Sequence, residues 1–134
     1  MKVSLKAALA IAGCGLLSVP AFAHHSFAAE FDQNKKVELT GTVTKVEWMN
    51  PHAHFLMAVK DDSGKTTIWD FETGSPNALA RRGVTRHSLK EGDVIKVVGY
   101  RAKDGSSLAS AGTVTFSDGR SVFAGTSGDG GPTR

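Results

Sequence analysis

Residues 47–55 read Glu47-Trp48-Met49-Asn50-Pro51-His52-Ala53-His54-Phe55. A corner is predicted at Asn50-Pro51, because proline fixes its own φ and has no amide donor for a strand. One strand therefore ends here and the next begins. Residues i and i+2 of a strand project from the same face, about 6.5–7 Å apart. We therefore expect His52 and His54 to face a single partner together.

Strand patterns lie on both sides of this corner. Apolar and polar residues alternate over residues 37–43 and again over residues 46–48, but in the opposite parity. This change predicts an irregularity near Thr44 and Lys45, and Gly41 permits a sharp bend in the same strand. Further strands are predicted over residues 52–60, 65–72, 94–100, 108–116 and 121–124.

A short helix is predicted between the third and fourth strands. Ser75 is a suitable N-cap, Pro76 suits the first helical position, and Gly83 ends a helix over residues 76–82. Three strands, a short helix and two strands follow the element order of the OB-fold. We predict a mainly β protein, a small five- to six-stranded OB-fold-like Greek-key barrel with one short helix between strands three and four. The alternative is another small β-barrel or sandwich with a single helical turn.

The start of the chain is typical of a secretory signal peptide. Lys2 and Lys6 precede an apolar run over residues 7–17, and residues 21–23 form an Ala-x-Ala cleavage site. This pattern predicts cleavage after residue 23 and a periplasmic or secreted mature protein without a transmembrane segment.

A lipoprotein box that ends at Cys14 is the competing interpretation of this segment. The apolar run continues beyond Cys14, so we favour cleavage after Ala23. The chain then divides into a signal peptide (1–23), an OB-like β-barrel domain (24–124) and a disordered glycine-rich tail (125–134).

Charge and cysteine content narrow the possible partners. The chain has 16 Lys and Arg residues against 13 Asp and Glu residues, and loss of Lys2 and Lys6 with the signal leaves 14 against 13. Such a balance does not favour nucleic acid, and we expect no nucleic-acid partner. Cys14 is the single cysteine and would be removed too, so any metal must be bound by nitrogen, oxygen or thioether ligands.

Cleavage after Ala23 would place His24 and His25 at the start of the mature chain. The terminal amine and the His24 imidazole can chelate one metal ion. A further nitrogen from His52 or His54 would complete a histidine brace, which suits Cu(II). The simpler interpretation is a frayed terminus without a partner.

Two carboxylates are predicted beside the strand-two histidines. If the second and third strands pair as a hairpin, residues near His54 and His52 lie opposite residues near Asp70 and Glu72. A carboxylate at that distance could orient a ligating histidine or bind the metal itself. The alternative is a histidine–carboxylate pair that only decorates the surface. The predicted copper ligands are therefore His24, His52, His54 and His25, with Asp70 and Glu72 as supporting carboxylates.

These features favour a small periplasmic binding protein for a transition metal, copper first. The alternative is a metal-free OB-type module in which Trp48 and Trp69 stack on an oligosaccharide or contact a protein partner in the cell envelope. A copper-dependent oxidoreductase is the third possibility. We identify no catalytic residue, because the chain contains no nucleophile elbow, phosphate loop or H-E-x-x-H motif.

Several short motifs together resemble an uncharacterised family of short exported bacterial proteins. They are His24-His25-Ser26-Phe27, Gly41-Thr42-Val43, Asn50-Pro51-His52, Trp69 with Glu72, Gly74-Ser75-Pro76 and Leu89-Lys90-Glu91-Gly92-Asp93. The resemblance covers the mature domain except its tail. It implies a small periplasmic or secreted domain and brings no established activity.

Overall fold

The computed structural model describes residues 27–125. The predicted signal peptide, His24, His25 and residues 126–134 lie outside the described residues. The elements in order are α1 (Phe27–Glu30), β1 (Phe31–Glu47), β2 (His54–Lys60), β3 (Thr66–Glu72), α2 (Pro76–Arg81), β4 (Val94–Ala102), β5 (Leu108–Phe116) and β6 (Ser121–Phe123). The predicted mainly β class is confirmed, as is the short helix between the third and fourth strands.

Six strands form one sheet in the order β3-β2-β1-β4-β5-β6 within residues 27–125. Neighbours in this order pair antiparallel. A further, parallel pairing joins residues 70–72 of β3 to residues 108–110 of β5. Neither helix of this part of the chain is long and apolar enough to cross a membrane.

The predicted irregularity in the first strand is confirmed. Val43 pairs with Met57 and Lys45 pairs with Leu56, which leaves Thr44 as an extra residue in β1. A bulge of this kind reverses which side chains face inward. Val43 is buried and Val46 packs against the same core, although they are three residues apart. The first half of β1 therefore pairs with β4 and the second half with β2.

Alternate residues of the strands build the core. Phe55 and Met57 of β2 and Phe71 of β3 are buried, and the rings of Phe55 and Phe71 stack with centroids 5.1 Å apart. Helix α2 begins where Ser75 Oγ accepts a hydrogen bond from the Ala78 amide, as its sequence predicts. The residues between the buried ones, including His54, face outward.

Gly125 belongs to the described fold, although it is the first residue of the predicted tail. It is buried, and its carbonyl accepts a 2.6 Å hydrogen bond from the guanidinium of Arg82. The chain therefore remains packed against α2 up to this residue.

We predict that Gly41→Ala destabilises the protein by about 1–3 kcal/mol, since overpacking has costs of this order. A Cβ at this position would lie 2.3 Å from the Ala58 carbonyl oxygen and 2.9 Å from Met57 Cγ. The neighbouring exposed residue gives a matched control, Thr40→Ala, which should change stability by less than about 0.5 kcal/mol. Urea unfolding of both variants checks this. Equal midpoints would contradict the proposed close approach of β1 and β2.

Candidate functional site

The β2–β3 hairpin brings His54 beside two carboxylates. His54 pairs with Glu72 across the strands, and Leu56 pairs with Asp70. The imidazole of His54 reaches along β3 to Asp70, with Nδ1 2.9 Å from Oδ1. The predicted pairing of β2 with β3 is thus confirmed, with Glu72 opposite His54 and Asp70 opposite Leu56.

His52 lies in the corner just before β2 and is fixed by the backbone that follows β3. Its Nδ1–H donates to the Thr73 carbonyl at 2.9 Å. Thr73 in turn donates to the Ala53 carbonyl through both its amide, at 2.9 Å, and its hydroxyl, at 2.8 Å. The Asn50–Pro51 peptide bond of this corner is cis. The imidazole of His52 is therefore attached to a well-bonded part of the backbone.

The carboxylate of Glu72 lies between the two imidazoles. One oxygen, Oε1, is 3.5 Å from His52 Nδ1, and the other, Oε2, is 4.0 Å from His54 Nε2. The side chains of His52 and His54 remain 29% and 24% exposed, so a solute can reach both rings. We call His52, His54, Asp70 and Glu72 the histidine–carboxylate cluster.

The hydrogen bonds of the cluster define the free nitrogen of each imidazole. Carbonyl and carboxylate oxygens accept hydrogen bonds, so Nδ1 of His52 and Nδ1 of His54 each carry the proton. In a neutral ring the lone pair then resides on Nε2. Metal-binding histidines in proteins typically donate their other N–H to a carboxylate or a backbone carbonyl. Both imidazoles of the cluster meet this condition.

Charge and burial both change proton affinity in the cluster. The hydrogen bond to Asp70 raises the pKa of His54, and the charges of Asp70, Glu72 and Glu47 add to this, while burial opposes it. Burial raises the pKa of Glu72, and the nearby carboxylates of Glu30 and Asp70 raise it further against the opposing effect of the histidines. Proton affinity is therefore increased at both groups.

One row of cross-strand neighbours connects this cluster to α1. Glu72 pairs with His54 on one side and with Ser110 on the other, and Ser110 pairs with Tyr100. The ring of Phe27 meets the ring of Tyr100 edge-on at 5.7 Å. Directly opposite residues in a sheet project from the same face. Helix α1 therefore packs on the outward face that carries the cluster.

Further contacts fix α1 in this position. Phe27 stacks on Phe31 with centroids 5.5 Å apart. The Lys103 amide donates to the Glu30 carbonyl at 2.9 Å, and its Nζ donates to the Ala28 carbonyl at 2.5 Å. Glu30 is not predictable as a neighbour of Glu72 from local sequence patterns, because their proximity depends on the β3–β5 pairing. The four-residue spacing of Phe27 and Phe31 was the available signal.

The two tryptophans lie beside different parts of β2, Trp69 beside its middle and Trp48 beyond its first residue. Trp69 pairs with Met57, whereas Trp48 follows the residue that pairs with His54. The Trp69 ring has Phe71 at 6.2 Å and the Arg101 guanidinium at 5.3 Å from its centroid. Trp48 packs against the core and lines an apolar cavity. A single ligand would therefore need to extend over about 13 Å to reach both, at about 3.3 Å per residue.

Within residues 27–125, no group of three or more His, Cys, Asp or Glu side chains is arranged to hold a metal ion. His24 and His25, the other two predicted ligands, lie outside this range. The copper site expected from the sequence therefore stays a prediction.

Fold and cluster together define a small, mainly β protein with two oriented histidines around a half-buried carboxylate. The chain belongs to a family of unknown function, DUF6152, whose model matches residues 13–111. The resemblance to an uncharacterised family is confirmed at this level. The match includes every residue of the histidine–carboxylate cluster. A search of curated proteins and a search of solved structures found no match.

We predict that Asp70→Asn lowers the pKa of His54 in metal-free protein, because the charged hydrogen-bond partner is lost. The pKa of His54 is higher in the folded protein than in the unfolded chain, where it is about 6.5. Protonated His54 therefore stabilises the fold at pH values below about 6.5, and this stabilisation is lost as the pH rises through the folded-state pKa. The stability deficit of Asp70→Asn should therefore shrink as the pH rises through that range. NMR titration of His54 and unfolding at several pH values measure both effects.

The exposed turn residue Asp62 provides the matched control. Asp62→Asn should leave the titration of His54 unchanged, since Asp62 is not among the groups that shift its pKa. An unchanged His54 pKa in Asp70→Asn would contradict the hydrogen bond as the main cause.

Proposed function

We propose that this protein is an exported metal-binding protein that holds Cu(II) with His52, His54 and His24, and with His25 as an alternate ligand. The observation that supports it best is the state of the two imidazoles. Each has its Nδ1–H bonded to an acceptor and its Nε2 available, with Glu72 between them. Asp70 and Glu72 then orient the ligands and balance the charge of the ion.

Copper is favoured by the kind of donors rather than by their number. The cluster offers imidazole nitrogen and carboxylate oxygen, and no thiol remains after removal of the predicted signal. Imidazole suits copper, and Cu(II) is the most strongly bound ion of the first-row divalent series at a nitrogen site. An N-terminal amine with its own imidazole would add two more nitrogens.

The position of α1 supports a contribution from the terminus. Phe27 packs on Tyr100, two strands away from Glu72, which corresponds to about 10 Å at the usual strand spacing. His24 precedes Phe27 by three residues, which can extend over about 10–11 Å. Cleavage after Ala23 would therefore leave the new terminus within reach of the cluster.

We also propose that the strands form an OB-type barrel. The pairings β1–β2, β2–β3, β3–β5, β5–β4 and β4–β1 follow one another in a closed circuit. In OB-folds, ligands bind on the face of strands two and three and on the loop between strands one and two. His52 lies in that loop, and His54, Asp70 and Glu72 lie on those strands. This agreement is an analogy of fold, and it favours ligand binding at the cluster.

We predict that the exported protein begins at His24 and retains one Cu(II). Native mass spectrometry with and without added copper measures both properties. His52→Ala should weaken copper binding by at least about tenfold, since one nitrogen ligand is lost. A chain starting at lipidated Cys14, or one that starts at His24 and retains no copper, would refute the proposal.

His87 supplies the matched control for this experiment. It lies in an exposed loop, where its amide donates to Thr85 Oγ1. His87→Ala should bind copper like the unaltered protein. Equal losses in His52→Ala and His87→Ala would indicate general imidazole binding rather than a defined site.

We predict that Phe27→Ala weakens copper binding by about 3–10-fold. Without Phe27 the terminus is no longer held beside the cluster, so copper binding must also overcome the entropy cost of ordering it. Competition with a chelator of known affinity measures this effect. Phe123→Ala, which removes a half-buried ring that contacts Arg82 at 4.8 Å, serves as the control. Equal affinities in Phe27→Ala and the unaltered protein would exclude a role for the α1 anchor.

The alternative function is a metal-free module for an oligosaccharide or a protein partner. Trp69 is its central residue, but a sugar that stacks there must displace Arg101 from the ring or occupy its edge. Copper binding is therefore the better-supported proposal. Loss of ligand binding in Trp69→Ala, together with absence of copper, would favour the alternative.

A further inference from the structure

A cavity of about 40 Å³ lies beside α2, at the end of the core opposite Trp69. It is lined by the last residues of β1, by β5 and β6, and by the loop that follows α2. The large side chains of its wall are those of Val46, Trp48, His54, Phe55, Leu79, Leu89, Phe116 and Val122. Phe55 and Leu79 are buried, whereas the other apolar side chains of this set are only partly covered. Five neighbouring apolar side chains thus remain incompletely packed around one space.

Hydrogen bonds within the loop that follows α2 engage the polar groups at the rim of the cavity. The Val84 amide donates to the Leu79 carbonyl at 3.0 Å, and the Thr85 amide donates to Ser88 Oγ at 2.8 Å. The Thr85 hydroxyl accepts from the His87 amide at 3.2 Å. The polar groups of the rim are therefore engaged with one another, and the wall of the cavity is apolar.

We propose that this cavity binds the compact, uncharged alkyl end of a small molecule. A charged group would lose its water without gaining a partner in an apolar wall. A cavity needs about 10–15 Å³ of this volume for each water-sized group, so 40 Å³ holds a branched group of about three or four carbon atoms. His54, a proposed copper ligand, also lines the cavity, but the inference does not rest on copper binding.

The chain after Gly125 does not supply this group. Ala124 lines the cavity. Residues 126–134 read Thr-Ser-Gly-Asp-Gly-Gly-Pro-Thr-Arg and include no large apolar side chain. We therefore assign the cavity to a separate molecule rather than to these residues.

Isobutanol and isobutyrate test this site, since they share the branched alkyl group and differ in charge. Methyl groups of the metal-free protein are followed by NMR while each probe is added. We expect saturable, millimolar binding of isobutanol, with shifts at Val46, Leu79 and Val122, and at least about tenfold weaker binding of isobutyrate. Three results would overturn the proposal and show binding of an adventitious additive only. They are chemical shifts that grow linearly without saturation, shifts of equal size at the exposed Ile68 and Val94, and equal binding of both probes.

Two variants connect the shifts to the cavity. Leu89→Trp places a larger side chain in the cavity and should weaken isobutanol binding at least about tenfold. Val94→Trp changes an exposed residue of β4 outside the cavity wall and should leave the affinity unchanged. The methyl signals of Met57 and Ile95 report whether each variant is folded, and Val122→Phe replaces Leu89→Trp if those signals are lost. Unchanged binding in a folded cavity-filling variant would refute the site.

Discussion

The short parallel pairing of β3 with β5 is the constraint on which the candidate site depends. It joins residues 70–72 to residues 108–110, and so places Glu72 between His54 and Ser110. The backbones of β4 and β5 also approach closely next to this point. A Cβ on Gly99 of β4 would lie 2.0 Å from the carbonyl oxygen of Ser110 in β5. Without this pairing, residues 70–72 would form an open edge of the sheet. Glu72 would then be hydrated and separated from α1.

Partial burial of Glu72 determines the electrostatics of the cluster. A carboxylate is costly to remove from water, and Glu30 and Asp70 add negative charge, so its pKa rises. His52 and His54 oppose this effect, and the Asp70 hydrogen bond raises the pKa of His54. Such a group of charges is compensated by bound protons or by a cation. A metal ion that enters would replace protons on the imidazoles, which couples its binding to pH.

Local sequence patterns predicted the helices and strands, whereas the contacts around them depend on pairing between strands that are distant in sequence. The parity change at Thr44 indicated the bulge of β1, and Ser75-Pro76 indicated α2, because both signals lie within a few neighbouring residues. The hairpin placed Asp70 and Glu72 beside His54 for the same reason. The bond from His52 to the Thr73 carbonyl was not predicted, since both residues lie just outside the paired strands of the hairpin. The approach of Glu30 to Glu72 was not predicted either, since it requires strands that are distant in sequence to meet.

The corner at residues 52–53 separates two different surfaces. His52 and His54 contact the carboxylates outside, and His54 also lines the apolar cavity, together with the buried Ala53. Ala53 donates to the Gly74 carbonyl and accepts from both the amide and the hydroxyl of Thr73. Coupling between two sites requires an element with two arrangements that both ligands bias. Since these bonds hold the backbone of the corner in one arrangement, His54 is the residue through which an ion on the outer face and an alkyl group in the cavity would affect each other.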